Sequence, residues 1–285
     1  MSATLVSNNY GKSRVRVVKV SRNGGLHDIK EMSVNIQFKG KFDRVHTDAD
    51  NSNVLPTDTM KNTVYVMAKK HEFKSIEEFG MILADHFLSN NPQVSETTIA
   101  LHETTWKRIK ISKNGNHELH PFAFVHGGNE RQVATVHSAR SEHSIESGIH
   151  DLTILKTTDS GFENYIHDQY TTLKETHDRI FATSMNARWK YSSSTIDFNA
   201  ARGSIRQALL EKFAQHYSYS VQQSLYVIGE AALEQCKEIE EISLSMPNKH
   251  CLLFNLEQFG MENKNEIFVP TDEPHGLIEG TVRRK

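Results

Sequence analysis

Met32-Ser33-Val34-Asn35-Ile36-Gln37-Phe38 places an apolar side chain at every second position. Side chains alternate between the two faces of a strand, so this run predicts a β-strand with one buried face. Upstream, Arg14 to Val20 sets Val15 and Val17 among charged residues, and Asn23-Gly24-Gly25 stands between the two runs as a turn signal. Residues 1–40 therefore read as a β-hairpin. Downstream, Ser75-Ile76-Glu77-Glu78 fits a capping box, in which the serine oxygen accepts from an early helix N–H and the glutamate reaches back. Ile76, Phe79, Leu83 and Phe87 recur at three- and four-residue steps, which predicts an amphipathic helix ending before Asn91-Pro92. Thr97 to Ile109 and Phe122 to Val136, rich in Thr, Val and aromatics, predict a second hairpin.

The second half follows the same order. Leu152-Thr153-Ile154 opens a strand, and Ala187-Arg188-Trp189-Lys190-Tyr191 is its expected partner. Helices are expected over 198–216, with Ile205, Ala208, Leu209 and Phe213 on one face, and over 221–241, with Leu225, Ile228, Ala232 and Ile239. Strands return at Ile242 to Ser245 and Cys251 to Leu256. Hairpin, helices, hairpin, twice over, is an internal repeat of architecture rather than of residues. The expected fold class is α+β, with units 1–140 and 141–285. Their boundary would lie in the polar stretch from Ser141 to His150. Each unit would be a four-stranded antiparallel sheet with helices on one face. The other face stays bare and invites assembly with copies of the chain.

Composition narrows the function classes. The chain has 285 residues, with 33 basic and 35 acidic side chains and a formal net charge of −2, so no basic excess points to nucleic acid. Two cysteines, Cys236 and Cys251, are too few for a disulfide framework and suit a reducing compartment. No apolar run approaches the roughly 20 residues that cross a bilayer, so no membrane association is expected. The N-terminus lacks a secretory pattern, and Val282-Arg283-Arg284-Lys285 is not a peroxisomal signal, so the expected location is the cytoplasm.

Five segments could carry chemistry, and each also has an ordinary structural reading. Tyr10-Gly11-Lys12 precedes the first strand, where a lysine is usually solvated. Between Asn53 and Thr63, Thr57 or Asp58 could cap a helix. Tyr170 to Arg179 reads as a polar turn with surface ion pairs. Ser220 could cap the last long helix and leave the N–H groups of Val221 and Gln222 free, which makes an anion site. Pro247-Asn248-Lys249-His250 reads as a plain turn.

Taken together, these segments resemble the urate oxidase family. The likeness runs from Tyr10 to Val282. It rests on Tyr10-Gly11-Lys12, Ala49-Asp50-Asn51-Ser52, Thr57-Asp58 followed by Lys61-Asn62-Thr63, Tyr170 to Thr176, Asp178-Arg179, Ser220-Val221-Gln222, Pro247 to His250 and Gly276-Leu277-Ile278. The resemblance implies two tandem tunnelling-fold units per chain and a homotetrameric barrel with active sites between subunits. It implies oxidation of urate by O2 to 5-hydroxyisourate and hydrogen peroxide, with no metal and no other cofactor. Arg179 would clamp the planar anion with its guanidinium fork, and Gln222 would pair with the opposite edge of the purine. The Val221 N–H would add a donor, Phe162 would stack on the ring, and Asp58 would contribute through its backbone. Lys12 and Thr57 would form a base relay, since a lysine accepts a proton only when neutral. Asn248 would hold oxygen or water above the ring, with His250 moving a proton beside it. Two positions depart from the family's usual pattern: His177, where tryptophan is common, and Cys251, where an aromatic is usual.

Two other readings remain open on the residues alone. A metal hydrolase of the same architecture would need ligand spacing, and His137 and His143 lack a fitting third ligand. A non-catalytic binding protein could keep the anion pocket but would need no Lys12–Thr57 relay.

Overall fold

The computed structural model describes residues 3–285, apart from Asn114 and Ser141, and leaves the Asn23 side chain undescribed. It is an α+β protein of two compact units. One unit holds Met1–Gly148 with Lys190–Asn199, and the other holds Ile149–Trp189 with Ala200–Lys285. The boundary expected at Ser141 falls on a residue outside those described.

In the first unit, β1 (Tyr10–Asn23), β2 (Leu26–Gly40), β3 (Val94–Lys113) and β4 (Asn116–Ala139) pair antiparallel in chain order. The alternation in β2 is decisive. Met32, Val34, Ile36 and Phe38 are all buried, while the intervening Ser33, Asn35 and Gln37 face the other side. Against them pack α2 (Thr57–Lys70) through Met60 and Val64, and α3 (Ile76–Asn90) through Ile76, Phe79, Leu83 and Phe87. Each such side chain contributes about 1.5–3 kcal/mol on leaving water. A short helix, α1 (Asp43–Thr47), precedes α2.

Ser75 caps α3 by accepting from the Glu78 amide at 3.2 Å, as expected. The returning Glu78 carboxylate accepts from the Lys74 amide at 2.5 Å, one residue further upstream than a capping box requires. Helix α2 was not resolved by periodicity, because Tyr65 and Val66 stay exposed beside the buried Met67 and blur its apolar stripe.

In the second unit, β5 (Glu142–Lys156), β6 (Phe181–Tyr191), β7 (Ile239–Leu253) and β8 (Phe268–Arg283) are neighbours in that order, with α4 (Phe198–Gln215) and α5 (Val221–Gln235). The polar stretch 142–150 forms the start of β5, with Ile145, Ser147 and Ile149 buried at alternate positions. Two expectations are corrected here. Helix α5 ends at Gln235, and Ile239 is the first residue of β7, not the last turn of a helix. Pro247 to His250 is no turn but the middle of β7, where the register shifts between Asn248 and His250. A proline is tolerated in a strand beside such an irregularity, where the ladder already loses bonds.

The repeat extends to detail. In β1, Arg14 takes a left-handed φ of 57° and its amide donates to Asn35 Oδ1 at 2.9 Å. In β5, Asp151 takes the same φ of 57° and its amide donates to Asn186 Oδ1 at 3.0 Å. The residue two positions before Arg14 is Lys12, and two before Asp151 it is Ile149.

Candidate functional site

The residues singled out from the sequence fall into two groups, one in each unit. The first is built on the start of β1 and the N-terminus of α2. Lys12 is half-buried and pairs with Ile36, at the start of the bulge that follows. Gly11 beside it admits no side chain, since a Cβ there would stand 1.8 Å from the Ile36 carbonyl oxygen. Tyr10 packs edge-on against Phe38 and Phe42, with ring centroids 5.9 and 4.7 Å away. Its hydroxyl accepts from the Leu55 amide at 3.0 Å, two residues before Thr57.

Thr57 is the first residue of α2 and Pro56 its N-cap, so neither Thr57 nor Asp58 caps the helix, contrary to expectation. Proline suits a position whose N–H has no helical partner. Thr57 is half-buried, and no hydrogen bond engages its hydroxyl among the described residues. Asp58 bonds the Lys61 ammonium and accepts from Asn62 Nδ2 at 3.1 Å. The Lys61 contact, aided by Asn62 and by the nearby Lys12 charge, holds the Asp58 carboxyl below its ordinary range. Its side chain is thus occupied within the helix. The Asp50 carboxylate accepts from the Ser52 amide at 2.9 Å and pairs with Arg44 at 2.9 Å, which shapes the loop leading to α2.

The second group is knitted by short backbone bridges. The Gly161 amide donates to the Ser218 carbonyl at 2.8 Å, and the Ser218 amide to that of Asp159 at 2.8 Å. Phe162 and Thr176 exchange both bonds, at 2.6 and 3.1 Å, and the Arg179 amide donates to Ser160 at 2.9 Å. Three chain segments are so fixed side by side: 160–162, 176–179 and 217–220. Gly161 is required at the junction, because a Cβ would lie 2.6 Å from the Tyr217 hydroxyl and 2.9 Å from the Thr176 carbonyl.

The geometry brings Phe162, Arg179 and the α5 N-terminus together. The Arg179 guanidinium carbon lies 5.7 Å from the Phe162 ring centroid. Ser220 caps α5 by accepting from the Gln223 amide at 3.1 Å, and the Val221 and Gln222 amides precede the first helical bond. Val221 is buried and the Gln222 side chain is exposed.

Arg179 carries the electrostatic signal of this group. Burial pushes its guanidinium below its ordinary value, and its buried Nε has no partner among the described residues. An arginine keeps its charge regardless. A desolvated cation without an anion is costly, so the position is suited to an anion that supplies the missing acceptors.

Asn248 and His250 lie on β7, opposite Gly276 and Thr271, while Lys249 between them pairs with Asp272 at 3.2 Å. Among the described residues no hydrogen bond joins either to the Phe162–Arg179 group. Of the two departures, His177 places Nδ1 3.2 Å from Glu163 Oε1 on the surface, and its carbonyl accepts from the Tyr217 hydroxyl at 2.7 Å. Cys251 faces Pro270 in the ladder.

Sequence reasoning missed Tyr165, which stacks on Phe162, and Ser160 and Ser218, which are fully buried at the bridge. Only the glycine at 161 hinted at so close an approach. His137 and His143 serve structure: His137 Nδ1 lies 3.0 Å from Thr98 Oγ1, and His143 sits between Ser138 at 2.7 Å and Asp85 at 3.4 Å.

Two tandem units, each a four-stranded antiparallel sheet with helices packed against it, define the tunnelling-fold class, and here the helix N-termini carry the polar groups. The uricase family profile matches residues 8–137 and 145–279. A uricase of Dictyostelium discoideum is 41% identical over 99% of this chain and 98% of its own length. A uricase of Arthrobacter globiformis is 42% identical over 99% of this chain and 90% of its own. The crystal structure of the Arthrobacter globiformis enzyme superposes with a TM-score of 0.93 at 42% identity, covering 100% of this chain and 96% of that one. The chain belongs to the uricase family.

Proposed function

We propose that this protein oxidises urate with molecular oxygen and water to 5-hydroxyisourate and hydrogen peroxide, using no metal and no organic cofactor. Family membership makes it an oxidoreductase acting on urate. The observation that carries the residue-level reading is Arg179: a half-buried arginine whose buried Nε lacks an acceptor, beside an aromatic ring and an open helix N-terminus.

In this reading, Arg179 takes one edge of the urate anion through its fork, and Gln222 and the Val221 N–H take the other. Phe162 stacks on the purine. The Thr57 hydroxyl relays a proton from urate to Lys12, and the Asp58 backbone holds the far edge. The resulting dianion is electron-rich and passes electrons to oxygen held by Asn248. Water then adds at the oxidised ring carbon as hydrogen peroxide leaves, with His250 moving a proton beside it. The protein supplies orientation, proton removal and charge stabilisation. Lys12, Thr57 and Asp58 belong to one unit and the clamp to the other. In a homotetramer, with active sites between subunits, the first group of one protomer completes the second group of a neighbour.

The direct test mixes purified protein with urate in air, with and without a chelator. Loss of urate's ultraviolet band with matching oxygen uptake, unchanged by the chelator, is expected. No urate loss at mildly alkaline pH overturns the activity, and abolition by the chelator overturns the cofactor-free chemistry.

A further inference from the structure

The segment from Tyr170 to Thr176 contributes to the family likeness, yet no side chain in it has a part in the proposed chemistry. Its contacts explain what it does. The paired bonds between Phe162 and Thr176 close a loop over 163–175. Asn164 turns the chain back with a left-handed φ of 59°, and its amide donates to Glu175 Oε1 at 2.8 Å. That reversal lays the Tyr165 ring on the Phe162 ring, with centroids 4.8 Å apart and planes 12° from parallel.

Tyr165 is itself held from two sides. Its hydroxyl donates to the Leu173 carbonyl at 2.7 Å. The His167 ring stacks on it at 4.8 Å and 19°, and His167 Nε2 lies 3.9 Å from Glu175 Oε1. The far wall of the loop is set by Asp168, which accepts from the Tyr170 amide at 2.9 Å and the Thr171 hydroxyl at 2.8 Å.

We propose that Tyr165 is a positioning residue for the ligand: it backs Phe162, fixes the plane of that ring, and so selects flat ring anions that can stack while Arg179 grips their edge. This rests on the reading of Phe162 as the stacking residue. The physical reason is simple. A part-exposed phenylalanine rotates about its side-chain bonds unless a neighbour defines its plane. A parallel ring clamped at both its hydroxyl and its far face provides that definition. It also occupies one face of Phe162, so a planar ligand has the other. The loop contacts of Leu173, Glu175 and Thr176 thereby act on the ligand through two rings.

A double-mutant cycle tests this with urate as substrate and xanthine, a flat purine, as binding probe. Tyr165→Leu should raise the KM for urate and the dissociation constant for xanthine about three- to tenfold, the range of one aromatic pair, with kcat within about twofold. Tyr165→Phe, which keeps the ring, should restore most of the affinity. In a Phe162→Leu background, Tyr165→Leu should add little. Unchanged affinity in Tyr165→Leu, or an equal loss in both backgrounds, overturns the proposal while the stacking role of Phe162 stands. Unchanged affinity in Phe162→Leu overturns both. Should Tyr165→Leu fail to fold, Tyr165→Met keeps the bulk without the plane, and the same outcomes apply.

Discussion

The Tyr10 hydroxyl accepts the Leu55 amide hydrogen at 3.0 Å, and this one bond ties the strand that carries Lys12 to the loop that delivers Thr57. Burial raises the Tyr10 pKa, so the phenol stays neutral, while its ring is wedged against Phe38 and Phe42. Tyr10→Phe keeps that wedge and removes only the acceptor. The Leu55 amide is then left without its partner, which costs about 1 kcal/mol. Turnover of urate should fall about three- to tenfold through misplacement of Thr57, with xanthine affinity changed less than twofold. Equal losses in turnover and affinity would mean that the bond only stabilises the fold.

The two left-handed strand positions differ where chemistry would matter. Arg14 and Asp151 share a backbone conformation and an asparagine partner, yet the residue two positions earlier is Lys12 in one and Ile149 in the other. The repeat keeps the backbone turn and varies that side chain, so the relay proposed for Lys12 can be tested there without disturbing the strand. Lys12→Met should lower turnover by about 10²- to 10⁴-fold, the span of general base catalysis, and leave xanthine affinity nearly intact. Turnover within threefold of the unaltered protein would refute the relay.

The strands and caps were legible because each was decided by neighbouring residues. Alternation named β2, and Ser75 and Ser220 each accept the amide three residues on. What was hidden depended on partners distant in sequence. Residues 142–150 read only as a polar stretch, because the burial of Ser147 against Glu77 is invisible without the fold. Pro247 to His250 read as a turn because proline and asparagine favour one locally, while pairing with β8 prevails. At the site, the Val221 amide followed from the Ser220 cap and the role of Arg179 from resemblance, but the bridges through Ser160 and Ser218 that assemble them span more than fifty residues and leave no periodic trace.

Arg179 offers a planar fork, and lysine in its place offers a point charge. Arg179→Lys keeps the charge but loses the paired donors, so kcat/KM should fall about 10- to 100-fold from loss of a charge-assisted bond. Most of the loss should appear in KM, because the proposed clamp would act on bound urate before and during reaction. A change below threefold would remove Arg179 from the clamp.

Two glycines give opposite stability predictions. A Cβ at Gly11 would lie 1.8 Å from the Ile36 carbonyl oxygen, a backbone atom that cannot step aside. Gly11→Ala should cost at least about 2 kcal/mol of stability and displace Lys12 with it. Gly203 is exposed within α4 with nothing within 4 Å of its Cβ position. Gly203→Ala should stabilise by about 0.5–1 kcal/mol, since glycine in a helix interior is unfavourable. Thermal melts of the two variants separate these outcomes, and a shift of the same sign in both would contradict the geometry.

His216 makes stability depend on pH just behind the α5 N-terminus. Its Nδ1 lies 2.5 Å from the Lys212 carbonyl and its Nε2 2.9 Å from the Ser224 hydroxyl, which in turn contacts Ser218 at 2.6 Å. Lys156 donates to the His216 carbonyl at 2.6 Å. In the neutral ring Nδ1 donates and Nε2 accepts. Burial, chiefly, and the Lys156 and Lys212 charges hold its pKa below the ordinary value, against the opposing pull of the Lys212 carbonyl. A depressed pKa means that the unfolded chain binds the proton more readily than the folded one. The contribution is therefore complete above about pH 6.5, the unfolded value, and is lost as pH falls through the native value. His86, depressed mainly by burial, acts in the same direction. The melting temperature should thus drop between pH 7 and pH 5, and the drop should be smaller in His216→Gln, whose amide cannot take up a proton. An identical pH slope in the two proteins would show that His216 does not contribute. Because Ser218 carries the bridge to Gly161, urate affinity should weaken over the same range and do so less in His216→Gln.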